Sequence, residues 1–432
     1  MTALDLTEAD RARLDGAEGE ALRFAMQVVV RAARIMAAPR LIDARFAHID
    51  ACHYYGRAHL DFARFFTERG ARFEIPAWTN SLTVGLKRPD VRPDVRADAD
   101  PVVLAEAREL AGLYLELGCR PVWTCAPYQL PGGPALGDHI IVGESNAVAY
   151  YNSVVGARTN KYGDFLDVCA ALTGRVPFAG LHTDAGRRAQ ILFDINGLPE
   201  ALRATELFCH VLGHLMGRQA GSRIPVIAGL APETPPDSLK AIAAAGASSG
   251  GIAMFHAVGV TPEAPDLEAA TGGGDLEETV TVTPEALVAA RDSLSSAGDG
   301  PVSMVALGTP HFSLSEFERA AALIEGRKVG GQVALYISTS RIIAGLAAQK
   351  GWVAALERAG AIILVDTCTY FAPAVRAARG RVMTNSAKWA YYAPGLLPVE
   401  VAFGSLEDCI ETAVRGQVTR QDSVWSDRAW GL

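Results

Sequence analysis

The sequence lacks most of the signatures that assign a function quickly. No GxSxG elbow is present, so serine hydrolysis is poorly supported. No GxxxxGK[ST] occurs and no GxGxxG opens a helix after a strand, which disfavours ATP and dinucleotide binding. Seven cysteines are scattered without a CxxC, a pattern that excludes a local zinc finger and, in a reducing compartment, a disulfide framework. No run approaches the roughly 18–20 apolar residues of a membrane span. The amino terminus is acidic rather than basic and apolar, so a secretory signal is not expected. Basic runs are missing, and with a net charge of −8 the chain carries no nucleic-acid footprint. A cytoplasmic protein is expected.

What is there is an ordinary globular composition, half apolar and one-fifth charged, in 432 residues. At about 100–200 residues per domain, that length allows two to four domains. Thr7 is placed to cap an opening helix, and a second helix is expected over about 18–38. Strand-like runs (40–47, 73–76, 120–124, 139–142, 224–227, 302–306, 333–337 and 361–365) alternate with helical stretches (58–69, 105–118 and 164–173). This alternation predicts an α/β fold with parallel sheets. The Pro- and Gly-rich stretch 261–274 marks a domain edge, and 87–101 reads as a second loop. The expected division is an N-terminal α/β region over 1–260, long enough for two domains, a connecting loop over 261–290 and a C-terminal α/β domain over 291–432.

Ligands of parallel sheets bind beyond the carboxyl ends of the strands. Polar clusters follow the apolar runs at those places. Trp123-Thr-Cys-Ala-Pro-Tyr128 is followed by Gly143-Glu-Ser-Asn146 and Gly156-Ala-Arg-Thr-Asn160. Far along the chain, Val365-Asp-Thr-Cys-Thr369 precedes Met383-Thr-Asn-Ser-Ala-Lys388. The two groups read as two walls of one active site. Cys125 and Cys368 are open to three readings: inert buried thiol, nucleophile or metal ligand. No His adjoins either thiol in sequence. His48, Asp50, Cys52 and His53 share one loop and can bind metal or substrate. His311 follows the run 302–306. His210 and His214 lack the Glu of HExxH and read as core helix positions. Arg158 and Lys388 are the best anion holders.

The segments HIDACHYYG, TNSLTV, WTCAPY, GDHIIVGESNAVAYYNSVVGARTN, LTGRVPFAGLH, GTPHFS and TNSAKWAYYAPG, with the opening LTEADRARLDG, resemble the aconitase X family in order along nearly the whole chain. The resemblance implies an aconitase-superfamily fold: three α/β domains around a central cleft, with the swivelling domain absent from this chain. It therefore implies a large catalytic subunit and a small swivelling-domain partner. It also implies a hydro-lyase that uses an iron–sulfur cluster, either [2Fe–2S] or of three or four irons, or else mononuclear iron. Cys125, Cys368 and Cys52 are the expected metal ligands; some archaeal-type members of the family carry cysteine where Thr309 stands. Ser386, Lys388 and His53 are the expected catalytic residues. Asn80, Ser81, Ser145, Asn146, Arg158, Thr159, Asn160, His311 and Asn385 are expected to bind substrate. Cis-3-hydroxy-L-proline is the expected substrate. Mevalonate 5-phosphate dehydration, a catalytically silent homologue that binds a small acid or partner, and a cysteine-nucleophile hydrolase are the alternatives.

Overall fold

The computed structural model describes residues 4–85, 99–371, 375, 378–420 and 425. Three parallel sheets carry the chain. The first has the order β3-β2-β4, built from β2 (Phe46–Ile49), β3 (Ala77–Thr79) and β4 (Ile140–Val142). A small antiparallel pair, β1 (Leu41–Asp43) with β5 (Arg175–Pro177), closes its flank. The second sheet has the order β8-β7-β6-β9, from β6 (Ile191–Asp194), β7 (Pro225–Ala228), β8 (His256–Ala257) and β9 (Glu278–Thr281). The third has the order β12-β11-β10-β13-β14: β10 (Met304–Leu307), β11 (Ala334–Thr339), β12 (Ala361–Val365), β13 (Gly380–Thr384) and β14 (Val399–Phe403). This is the expected α/β class. Strands buried on both faces, such as Met-Val-Ala-Leu in β10, read as continuous apolar runs because helices cover the parallel sheet on each side.

Several elements form where local chemistry predicts. Thr7 caps the helix Glu8–Asp15 through a full capping box with Asp10. The helix Glu20–Ile35 buries Ala25, Met26, Val29, Val30 and Ala33 on one face. Other expectations are corrected. Residues 40–47 form two short strands, because the chain switches at Ala44 from pairing with β5 to pairing with β3 and β4. Residues 120–124 form no strand; only Arg120 bridges Trp78. The strand expected at 73–76 lies instead at β3. The stretch expected as a connecting loop, 261–290, holds the helix Leu267–Thr271, strand β9 and the start of the helix Pro284–Ser293. Its strand pairs residue for residue with β6, so it belongs to the second sheet. Its largely exposed Glu-Thr-Val-Thr pattern gave little apolar signal. Residues 87–98 of the other expected loop lie outside the described residues, and Pro101 opens the helix Pro101–Glu116.

The tightest helix pair, Glu206–Ala220 with Pro236–Gly250, packs through small residues. A Cβ on Gly250 would overlap the carbonyl of Gly217, and one on Gly213 would lie 2.6 Å from the Ile242 carbonyl. These backbones can approach only because side chains are missing. Gly250→Ala is expected to cost about 3 kcal/mol or more by forcing the helices apart. Gly345→Ala, in the helix Arg341–Gln349 where a Cβ meets nothing within 4 Å, is expected to be neutral or to stabilise by up to about 1 kcal/mol. Urea unfolding of the two variants beside the parent checks both signs.

Candidate metal centre and cleft

The carboxyl ends of the first and third sheets face each other, and every polar cluster of the cleft sits on one of them. From the first sheet come Asp50 and His53 after β2, Asn80 and Ser81 after β3, and Glu144 to Asn146 after β4. From the third come His311 after β10, Cys368 after β12 and Lys388 after β13. Cys125 arrives on the loop that Thr79 holds, where the Thr79 hydroxyl accepts from the amides of Val122 and Trp123 at 3.1 and 3.0 Å. The third-sheet loop docks on the first unit through the Leu82 amide, which donates to the Asp366 carbonyl at 2.6 Å.

Cys125, His311 and Cys368 meet, with one donor atom from each lying within 4.8 Å of the others, all buried. The two sulfurs are 4.0 Å apart. Burial pushes the Cys125 thiol up, whereas the hydrogen bond with Cys125, helped by His311 and Ser81, holds Cys368 down against its own burial. The His311 amide donates to Cys125 Sγ at 3.3 Å. Its ring lies between Thr367 and Thr124. Nε2 faces the Thr367 carbonyl at 3.1 Å and so carries the proton, while Nδ1 accepts from the Thr124 hydroxyl at 3.0 Å.

Two thiols and an imidazole form a soft donor set suited to iron or an iron–sulfur centre. The surroundings fit such a group. Thr309 Oγ1 and Thr369 Oγ1, which flank the ligand loops, are buried hydroxyls with no hydrogen-bond partner among the described residues. A buried unpaired hydroxyl costs about 1–3 kcal/mol, which a bound polar group offsets.

Beside the thiols runs a chain of hydrogen bonds. Ser81 Oγ lies 3.7 Å from Cys368 Sγ and 3.2 Å from His53 Nε2, and His53 Nδ1 lies 3.3 Å from Asp50 Oδ1. Burial alone would lower the His53 pKa, but the Asp50 hydrogen bond and charge raise it above the ordinary value. Asp167, in turn, accepts from the amides of Asp50 and Ala51 at 2.8 and 3.1 Å and fixes that loop. Asn80 donates to Asp50 and, at 3.3 Å, to Glu144.

Across the cleft Lys388 Nζ bonds Glu144 Oε1 at 2.5 Å, with both side chains buried. Burial would raise the Glu144 carboxyl; the Lys388 charge and the Asn146 amides bring it well below the ordinary range. Asn146 also donates to the Cys125 carbonyl at 2.9 Å and accepts from Tyr128. Aromatic rings rim the cleft. Phe371 stacks 5.0 Å from the His53 ring, Tyr370 adjoins Phe371, and Tyr55 is two-thirds exposed beside His53. A separate cavity of about 930 Å³, walled by Tyr128, Glu206, Lys240, Glu316 and Arg319, includes none of the thiols.

The expected site residues divide clearly. Cys125, Cys368, His311, His53, Asn80, Ser81, Ser145, Asn146 and Lys388 are brought together. Cys52 is not. Its thiol turns into the first core and donates to the carbonyls of Ile49 and Asn80 at 3.3 and 3.5 Å, so His311 stands where Cys52 was expected to complete the donor set. Ser386 caps the helix Ala387–Leu396, accepting from the Trp389 amide and donating to the Thr309 carbonyl. That hydroxyl is engaged at both ends, which suits positioning rather than proton abstraction. Asn385 turns to Glu206 at 3.3 Å.

Arg158 pairs in register with His139 at the start of β4, five residues and about 16 Å of strand before Glu144. Thr159 and Asn160 are tied there to Asn152 and to the 179–181 turn. Glu144 and Asp50 were underweighted by sequence reasoning. The signal for Glu144 was available: an acid directly after an apolar strand, inside a segment already of interest.

Sequence models of the aconitase X first, second and third domains match residues 3–185, 189–292 and 302–415. The chain belongs to the aconitase X family. It is 45% identical over 412 residues to the cis-3-hydroxy-L-proline dehydratase of Pseudomonas aeruginosa, across 94% of this chain and 70% of that one. The enzyme of the same name from Hypocrea jecorina is 41% identical over 96% of this chain and 69% of its own. The phosphomevalonate dehydratase large subunit of Thermococcus kodakarensis is 33% identical, over 90% of this chain and 94% of that subunit. The crystal structure of the Thermococcus kodakaraensis aconitase X holo-form superposes with a TM-score of 0.83 at 31% identity, covering 95% of this chain and all of that one. The aconitase-like multidomain α/β fold is thereby shown.

Removing one member of the Glu144–Lys388 pair leaves a buried charge, so Glu144→Gln and Lys388→Met are each expected to cost about 3–5 kcal/mol, and the double variant less than their sum. The pH dependence has a definite sign. A carboxylate held below its unfolded value of about 4.5 adds stability that is complete above that pH and is lost as pH falls through the folded value. Glu144→Gln should therefore flatten the acid limb of stability against pH. Denaturant unfolding between pH 3 and 8 in metal-free buffer reads both effects.

Proposed function

We propose that this chain is the catalytic subunit of a hydro-lyase that removes water from cis-3-hydroxy-L-proline. The observation that carries this reading is the pairing of a buried Cys-His-Cys donor set with 41–45% identity to two enzymes of that name. Phosphomevalonate dehydration is the second reading, favoured by the 94% coverage of an archaeal large subunit but by only 33% identity. The cleft also offers little to a phosphate dianion, since Lys388 brings a single charge already shared with Glu144 and Arg158 lies elsewhere.

Cys125, Cys368 and His311 would hold an iron or iron–sulfur centre. Such a centre supplies a Lewis acid for the departing hydroxyl. The remaining chemistry falls to side chains. Lys388, whose ammonium keeps N–H groups beyond the one given to Glu144, binds the substrate carboxylate and takes up the charge that develops when the α-proton leaves. His53, oriented by Asp50, takes the α-proton through Ser81 and returns it to the leaving oxygen, so that the hydroxyl departs as water. The aromatic rim of Phe371, Tyr370 and Tyr55 sheds water from the ring of the substrate. A small swivelling-domain partner, which the name 'large subunit' of the Thermococcus kodakarensis relative supports, would close over this rim.

Anaerobic iron and sulfide analysis is expected to find metal in the parent and in Cys52→Ser, and to find it lost in Cys125→Ser and Cys368→Ser. Folded parent protein without iron would sink the proposal. His53→Ala is expected to retain iron and lower kcat on cis-3-hydroxy-L-proline about 10²–10⁴-fold, measured with any small partner co-expressed. Turnover of mevalonate 5-phosphate in preference would move the assignment to the second reading.

A further inference from the structure

Arg158 is missing from the cleft, but it stands among other arginines. It lines a cavity of about 210 Å³ with Arg187, Arg188, Asp184, Glu263 and His256. The cavity lies at the joint between the first and second sheets, beyond the start of β4. We propose that it binds a tetrahedral oxyanion, the phosphate of inorganic phosphate or of a small monoester, between Arg158, Arg188 and Arg187.

Each arginine plays a different part. Arg187 is almost fully buried and anchored. Its Nε donates to Glu263 at 2.7 Å, Nη1 to Asn152 Oδ1 and the Leu181 carbonyl, and Nη2 to the Asn152 carbonyl. Of its five N–H groups, one remains on Nη2, in a fixed position. His256 Nε2 donates to the Arg187 carbonyl at 2.7 Å and steadies the same turn.

Arg158 is held by Asp184 at 2.6 Å, and that carboxylate is 85% exposed. Such an ion pair is weak and readily exchanged. Arg188 has neither an ion pair nor a hydrogen bond among the described residues. A Cβ at Gly272 would sit 2.9 Å from its Nε, so the glycine leaves the guanidinium its place. Three guanidinium groups face two carboxylates, and one of those carboxylates can swing into solvent. A dianion entering the cavity takes the place of Asp184 on Arg158, meets the unpaired fork of Arg188, and finds the last donor of Arg187. Forked donors of this kind suit phosphate oxygens. The volume, several times the roughly 30 Å³ of a water, admits one such ion.

The test is a thermal-shift titration of the full chain with inorganic phosphate, glycerol phosphate, and sodium chloride at matched ionic strength. A saturable rise in Tm is expected with phosphate and not with chloride. Arg158→Ala and Arg188→Ala should each weaken half-saturation roughly tenfold or more, and Asp184→Asn should tighten it. An equal response to glycerol phosphate assigns the site to phosphate monoesters; a response to inorganic phosphate alone assigns it to the free ion. No rise beyond that in chloride, or the same half-saturation in both arginine variants, overturns the proposal. Turnover is not part of the readout, so the outcome is independent of the dehydratase assignment.

Discussion

The cleft depends on one constraint: two parallel sheets must be held with their carboxyl edges facing. The hydrogen bond from Leu82 to the Asp366 carbonyl and the buried Glu144–Lys388 pair both span that gap. Without the first, the Cys368 loop loses the main-chain bond that supports the Thr367–Thr83 and Ser81–Cys368 contacts. Without the second, the ends of β4 and β13 lose their shared charge. A buried ion pair adds little net stability, because desolvation cancels much of the attraction, but losing one partner is costly. Such a pair therefore acts more as a register device than as glue. It specifies which strand ends meet, and the donor set follows from that.

The two thiols are delivered by the same backbone device. Trp123, two residues before Cys125, has φ +45°, and Asp366, two residues before Cys368, has φ +72°. Side chains rarely adopt this region, at a cost of about 1–3 kcal/mol each, so surrounding contacts must fix it. They are visible in both cases. The Trp123 ring is fully buried and its amide is held by Thr79. The Asp366 carboxylate is gripped by Arg341, with Nε to Oδ1 at 2.9 Å. Strain spent at both ligand loops, and compensated on different sheets, brings distant cysteines to 4.0 Å.

Much of this was legible in the sequence because it is written in local periodicity. Apolar runs of strand length followed by polar clusters gave the α/β class, the strands β1, β2, β4, β7, β10, β11 and β12, and the two walls of the cleft. The spatial meaning of single residues was not so written. Cys52 shares a loop with Asp50 and His53, but the turn points its thiol inward and the other two side chains outward, a choice made by packing on the first core. Arg158 lies in a segment next to Glu144 in sequence, but a π-helical turn over Tyr151–Val155 carries it back to the opposite end of β4. Strand β9 escaped because its residues are largely exposed and carry little apolar signal. In each case a contact remote in sequence decided the outcome.

The His311 ring shows how such remote contacts tune the centre. With Nε2–H on the Thr367 carbonyl and Nδ1 on the Thr124 hydroxyl, neither nitrogen offers a free lone pair. Ligation therefore exchanges a hydrogen bond for a metal bond and, at Nε2, moves the ring proton to Nδ1, which then donates to the Thr124 hydroxyl. The two threonines lie directly before the two thiols in sequence. Binding at His311 thus shifts the residue beside Cys125 or the residue beside Cys368. Occupancy of the centre and packing of the cysteine loops become one linked equilibrium. A donor set built in this way favours metals that bind thiolate strongly enough to offset the exchanged hydrogen bond, which argues for iron or an iron–sulfur centre over hard cations such as magnesium.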